Sequence, residues 1–212
     1  MRLAELANIN TGLVTARKQA KITDQEIIKY RTLNLKVINE KGYIEDNLVE
    51  EFEANERIKP VYLTKVRDIV VRLTYPFTAV LIDEAHENMI IPSHFVVIRP
   101  DKEKILPEYL YWLLNTEKVK QELQQNINST TIGTVKPMSY AELDVERITL
   151  QEQAQIGELY MLAKKELYLL DQIMGQKELY YKEAINKIQK EMRKNNEDNK
   201  ERYRKSFMES MR

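Results

Sequence analysis

Residues 150 to about 195 constrain the architecture of this chain more than any other stretch. They contain no proline, one mid-helix glycine at Gly175 and mostly strong helix formers, which predicts one continuous helix. A helix of ~45 residues at 1.5 Å per residue is roughly 65 Å long, far more than a compact domain of this size needs. A heptad laid on it puts Tyr160, Leu167, Met174, Tyr181 and Ile188 in one column. Ile156, Ala163, Leu170, Lys177 and Ala184 form the neighbouring column, giving a coiled-coil seam with one polar step at Lys177. Leu159, Leu162, Leu169, Ile173 and Ile185 fall outside both columns, so the apolar face is wider than a two-helix seam requires. The expectation is a helix packed on its own domain and on a second helix at once; a solvated helix or a simple dimerising coiled coil is the plainer alternative. Gly175 costs about 1 kcal/mol relative to alanine, while small residues at Gly175 and Ala184 permit close helix approach.

A chain of 212 residues accommodates one ordinary domain plus such an extended element. Lys and Arg number 33 against 33 Asp and Glu, so global charge neither favours nor excludes a nucleic-acid partner. The distribution says more. Arg57, Lys59, Lys65, Arg67 and Arg72 stand against Asp68 alone within residues 57–72, and Arg2, Arg17, Lys18 and Lys21 against Glu5 within residues 1–22. With no cysteine, disulfides and thiolate metal sites are excluded. No apolar run suits a signal peptide or a membrane span, which leads us to expect a soluble, cytoplasmic protein without a membrane partner.

Along the chain, Leu3, Leu6 and Ile9 precede a Thr11-Gly12 break and a basic loop, which fits a short strand or turn. Residues 28–38 alternate like a strand before a Lys41-Gly42 turn, and residues 48–55 read as acidic and exposed. Strands are expected at 61–63, 68–73, 78–82 and 89–98, with a bend at Tyr75-Pro76-Phe77 and an edge or strand start at Pro92. Pro107 opens a single helix through Asn126, whose buried side is Tyr109, Leu110, Trp112, Leu113, Val119 and Leu123. A polar loop at 128–137 and a last strand-like run at 143–150 complete a domain over residues 1–149. The fold class is therefore α+β: a mixed or curved sheet with packed helices, then the long coiled-coil helix at 150–195 and a charged, frayed or disordered tail at 196–212.

Enzymatic motifs fail on context. Asp83-Glu84-Ala85-His86 spells a helicase box, but the phosphate-cradling GxxxxGK[ST] loop that such a box works with is missing. Pro100-Asp101-Lys102-Glu103-Lys104 carries the letters of a metal-dependent nuclease site, but on one charged turn instead of two strands. His86 and His94 lack ligand-spaced partners, and His94 reads as a packed strand residue. No nucleophile elbow, dinucleotide loop or adenine-methyltransferase NPPY-like string occurs. The chain reads as a binding protein, not an enzyme.

Three loops mix side chains that contact phosphates and read bases: Arg17 and Lys18; Arg72, Thr74 and Tyr75; and Thr130, Thr131 and Lys136. In order and spacing the chain resembles the specificity subunit of type I restriction-modification systems. The resemblance rests on residues 63–70, like the family's glycine-aspartate strand; on 78–83 and 91–100; on the 106–115 helix; on the 129–134 loop; and on Leu150-Gln151-Glu152-Gln153 at the start of the long helix. It covers nearly everything to about residue 195. Two departures stand out: Arg67 replaces the family's glycine before the aspartate, and Thr149-Leu150 replaces a proline pair.

The resemblance implies a non-catalytic subunit whose recognition domain reads half of a split double-stranded DNA target. Its long helix would pair antiparallel with another and set the distance between halves. Family members usually carry two recognition domains and two helical regions in one chain. With one of each, this chain would dimerise through Ile156, Tyr160, Ala163, Leu167, Leu170, Met174, Tyr181 and Ile188, and two-fold symmetry would make its target an interrupted inverted repeat. It would hold no cofactor. S-adenosylmethionine would sit on a partner methyltransferase subunit, and a restriction nuclease subunit is a further possible partner. The alternatives from other classes are a coiled-coil protein-interaction scaffold and a silent or degenerate specificity cassette.

Overall fold

The computed structural model describes residues 1–21, 26–125 and 133–211, apart from the side chains of Tyr203, Glu209 and Ser210. Two compact units emerge, Met1–Met161 and Leu162–Arg212. At the heart of the first is a four-stranded antiparallel sheet of β1 (Ala7–Thr11), β4 (Ile69–Arg72), β5 (Ala79–Leu81) and β6 (Phe95–Pro100) in the order β1-β6-β4-β5. A hairpin of β2 (Ile28–Thr32) and β3 (Glu50–Ala54) forms a second, two-stranded sheet.

Strand alternation gives the larger sheet two apolar faces. Ile69 and Val71 of β4 with Val96 and Ile98 of β6 join one core together with Leu3, Tyr109, Leu110, Leu114 and Tyr140. Val70, Phe95 and Val97 point the other way, into a second core with Leu33, Val37, Ile38, Met89 and Ile91. A third, smaller core of Leu13, Ala54, Ile58 and Ile90 lies beside the hairpin. Fully burying each large aliphatic side chain contributes roughly 1.5–3 kcal/mol, so a sheet covered on both faces is a rigid platform for its loops.

The helices depart from the sequence reading in instructive ways. The segment opened by Pro107 is two helices, α1 (Pro107–Leu114) and α2 (Glu117–Gln125). The break is chemical: Asn115 bonds Ala79 both ways, accepting its N–H and donating to its carbonyl at 3.2 Å. Thr116 then accepts the N–H of Val119 as the N-cap of α2. Residues 143–149 form no strand, since Arg2 to Asp144 is an isolated bridge with no ladder to extend it. A short α3 (Pro137–Ala141) precedes them.

Residues 60–62 make a 3-10 turn started by Pro60, and only Leu63 reaches a bridge, to Ile90. In the run from Met89, the ladder begins at Phe95, after Pro92. The acidic segment at 48–55 carries β3, which is exposed on most of its length.

The long helix α4 runs from Leu150 to Ser210, about 90 Å at 1.5 Å per residue. It continues without a break through the stretch the sequence reads as a frayed or disordered tail. Its start is well defined: Thr149 and Glu152 form a reciprocal capping box, Thr149 donating its N–H to Glu152 at 2.8 Å and accepting the Glu152 N–H at 3.2 Å. Thr149 thus supplies the helix start where the resembled family has its proline pair.

Candidate nucleic-acid interface

Strand register decides where the sequence-predicted loops sit. β1 and β4 flank β6 and both run antiparallel to it. Thr11 and Val71 each pair with Val96, so the chain leaves β1 and β4 at the same end of the sheet. Arg17 and Lys18 follow the first exit; Arg72, Thr74 and Tyr75 occupy the second. The β1 exit is pressed against residues 91–92, where a Cβ on Gly12 would stand 2.0 Å from the Pro92 carbonyl oxygen.

The β4 exit is tied to its neighbours at several points. A cis Tyr75–Pro76 bond and Phe77 at φ +56° turn the chain into β5, and the exposed Tyr75 ring meets Phe77 edge-on, centroids 6.0 Å apart. Val135 donates its N–H to the Leu73 carbonyl at 2.8 Å, Thr74 bridges Thr134, and the Tyr140 hydroxyl donates to the Arg72 carbonyl at 3.1 Å. These bonds bring exposed Lys136, the N-cap of α3, to the same group as Arg72 and Tyr75. Burial pushes the Tyr140 phenol far above its ordinary range, as suits a structural donor. Arg72 is half-buried; its Nη1 reaches the Ile38 carbonyl at 3.5 Å, and its Nε is buried without an acceptor among the described residues.

Arg17 and Lys18 belong to a separate group. Asn55 donates its N–H to the Lys18 carbonyl at 2.9 Å, tying the β1 exit to the segment after β3. Between them lies a cleft of about 360 Å³ lined by Leu13, Val14, Ile58 and Tyr62 and by four cations, Arg17, Lys18, Arg57 and Lys59, against one carboxylate, Glu56. Lys18 hydrogen-bonds that carboxylate and, with a smaller effect from Lys59, holds Glu56 below its ordinary range. Thr130 and Thr131 lie outside the described residues.

Sequence reasoning missed two features of this end. His94, expected to be packed, is exposed, because the β6 ladder starts one residue later. Arg57 and Lys59 were visible only as a basic run; the bond between Asn55 and Lys18 that puts them beside Arg17 has no local signature. The strings with an enzymatic look are engaged internally. The His86 ring bridges Asp83 at 2.5 Å and Asp46 at 3.0 Å, and Asp101 pairs with Lys104 at 3.0 Å within one turn. Among the described residues no cluster of three His, Cys, Asp or Glu could hold a metal ion, and no helix is long and apolar enough to cross a membrane.

The residues selected for helix pairing divide into two sets. Ile156 and Tyr160 pack against the first unit's own core, Tyr160 meeting the Tyr111 ring at 5.1 Å, so they serve intramolecular packing. Ala163 is half-buried. Leu167, Leu170, Met174, Tyr181 and Ile188 are 50–60% exposed and continue one apolar stripe with Ile185 and Met192. From Leu167 to Met192 that stripe is about 38 Å long.

No protein-family model matches the sequence, and no curated protein matches it. Solved structures do. The HsdS subunit from Thermoanaerobacter tengcongensis superposes with a TM-score of 0.58 at 19% identity, over 80% of this chain and 43% of that one. The fold is that of a type I specificity subunit. A second match, from work on complex assembly and conformational transition of the type I restriction-modification system, has a TM-score of 0.59 at 17% identity, over 82% of this chain and 43% of the other. The S subunit of the M. genitalium type I system gives 0.51 at 12% identity, over 83% and 41%. The chain thus spans less than half the length of these S subunits.

Arg67, which stands where the resembled family has a glycine, keeps a backbone conformation that favours glycine. Its φ is +70°, in the left-handed region that glycine tolerates best, and its guanidinium meets Glu108 at 3.3 Å. The Gln153 of the sequence-predicted start motif is buried and works as a strap. Its side-chain oxygen accepts the Leu106 N–H at 2.9 Å, and its nitrogen donates to the Ile148 and Lys104 carbonyls at 3.2 and 3.4 Å.

Proposed function

We propose that this chain is the DNA sequence-specificity subunit of a type I restriction-modification system. Its first unit reads one half of a bipartite double-stranded target, and the chain acts as a homodimer through the exposed stripe of α4. The subunit is itself non-catalytic. Methyltransferase subunits bearing S-adenosylmethionine supply the chemistry, and a nuclease subunit is a further partner. The observation that carries this reading is the convergence of Arg72, Tyr75, Lys136 and the Arg17 cleft at one end of a rigid sheet, in a chain with the S-subunit fold. Base edges in the major groove are read by Arg and by short polar side chains, and phosphates position the reader. Five large apolar residues along the stripe, each at least half exposed, favour a second helix as the partner of α4.

The test is selection of duplexes from a random-sequence pool by the chain assembled with its methyltransferase. The expected product is two conserved blocks, inverted relative to each other, separated by a spacer of fixed length. Recovery of an unselected pool, or of one unrepeated block, refutes the reading.

A further inference from the structure

The sheet end presents two basic groups of different construction. We infer that they divide the labour: the cleft of Arg17, Arg57 and Lys59 grips the sugar-phosphate backbone whatever the sequence, and the Arg72–Tyr75 group discriminates bases. This rests on the DNA-reading assignment above and adds Arg57 and Lys59 to the interface.

Base reading requires a side chain held within a fraction of an ångström of its working position, whereas phosphate attraction is coulombic and tolerates loosely held cations. The two groups separate on that criterion. Arg72 stands on a strand, its N–H bonded to Thr78 at 3.1 Å and its carbonyl to Tyr140, and its half-buried guanidinium is braced at the Ile38 carbonyl at 3.5 Å. Tyr75, 67% exposed, offers a flat ring braced by Phe77. In the cleft, by contrast, Arg17, Arg57 and Lys59 are all exposed, and no described residue hydrogen-bonds their head groups. The one carboxylate of the cleft is hydrogen-bonded by Lys18, which leaves a surplus of positive charge over apolar walls at Leu13, Val14, Ile58 and Tyr62. Positive head groups above apolar walls match the alternation of phosphate and sugar along a strand.

The experiment measures equilibrium binding of the assembled complex to two probes across a salt series: a duplex selected by the wild type from a random pool, and an unselected mixed-sequence duplex. Replacing Arg57 and Lys59 together by Gln should weaken both probes by the same factor. It should lower the slope of log K against log salt by ~1.8, at ~0.9 per lost phosphate contact, and preserve the ratio between the probes. Arg72→Gln with Tyr75→Ala should collapse the ratio while changing the slope by at most ~1. A changed ratio, or an unchanged slope, in the Arg57/Lys59 variant overturns the division and leaves the DNA-reading assignment standing. A wild type that selects no sequence overturns both. The four side chains are exposed or half-buried, and circular dichroism of each variant separates lost binding from lost fold.

Discussion

Thr11 and Val71 oppose the same residue, Val96, from the two neighbouring strands. Two loops separated by some sixty residues of sequence are therefore carried at one end of one sheet, and that end is where the exposed cations and Tyr75 collect. Because the sheet is buried on both faces, the spacing between the loops is a property of the core and not of the loops themselves.

If Arg72 reads a base edge, Arg72→Gln should cost about 1–3 kcal/mol, roughly 5- to 150-fold, on the selected target and relax preference at one position of it. Fluorescence anisotropy against single-base variants of the target measures both. Equal loss on every variant would assign Arg72 to the backbone instead.

Replacing Leu170 and Met174 together by Lys should shift sedimentation from dimer to monomer without lowering the thermal midpoint of the first unit, since both side chains are half or more exposed. A dimer that survives this change would place pairing elsewhere on the chain.

At Arg67 the backbone and side-chain contributions can be separated. Arg67→Gly and Arg67→Ala both delete the ion pair to Glu108, so the difference between them isolates the left-handed conformation. Urea unfolding should find the Gly variant more stable than the Ala variant by about 1 kcal/mol.

The two glycines of α4 should respond in opposite directions. A Cβ at Gly157 would lie 2.9 Å from both the Glu108 Cβ and the Tyr109 backbone nitrogen, so Gly157→Ala should destabilise by about 1–3 kcal/mol. Nothing stands within 4 Å of a Cβ at Gly175, and Gly175→Ala should raise helix stability by roughly 1 kcal/mol. Thermal melts of the two variants provide the comparison.

Glu152 gives a pH dependence of known sign. The Thr149 N–H and hydroxyl hold its carboxyl below the ordinary value of 4.5. Between the depressed folded value and 4.5, the unfolded chain binds more protons, so this contribution is complete above 4.5 and is lost as pH falls through the folded value. Unfolding measured from pH 6 to 3 should show a shallower acid limb in Glu152→Gln than in the wild type.

The long helix was legible because its composition and period agree over dozens of residues. β4 and β5 were legible because β-branched runs lie between turn residues. What escaped was decided by partners distant in the chain. The N-terminal segment, open between strand and turn in the sequence, settles as an edge strand at Ala7–Thr11 because β6 is there to pair with it, and residues 143–149 fail to become one because their bridge, Arg2 to Asp144, extends into no ladder. Asn115 divides a helix-like segment because it finds Ala79, thirty-six residues away. The cleft was half visible: its cations stood in two basic windows, but the contact joining the windows is a backbone bond between Asn55 and Lys18. Ile156 and Tyr160 have the same heptad phase as the residues beyond them, and no periodicity reveals that the first unit has already claimed them.

Gln153 has a last consequence. One amide satisfies the Leu106 donor and two carbonyls, while Gly157, one turn later, admits the α1 backbone. Tooth and slot together index the opening turns of α4 to a single axial setting. Sliding by one residue would strand three polar groups, at about 1–3 kcal/mol each, and drive a side chain into α1. Insertions at exposed Glu146 and Arg147, between buried Val145 and the Ile148 carbonyl that Gln153 holds, should therefore be absorbed there as slack, leaving the index of the helix untouched.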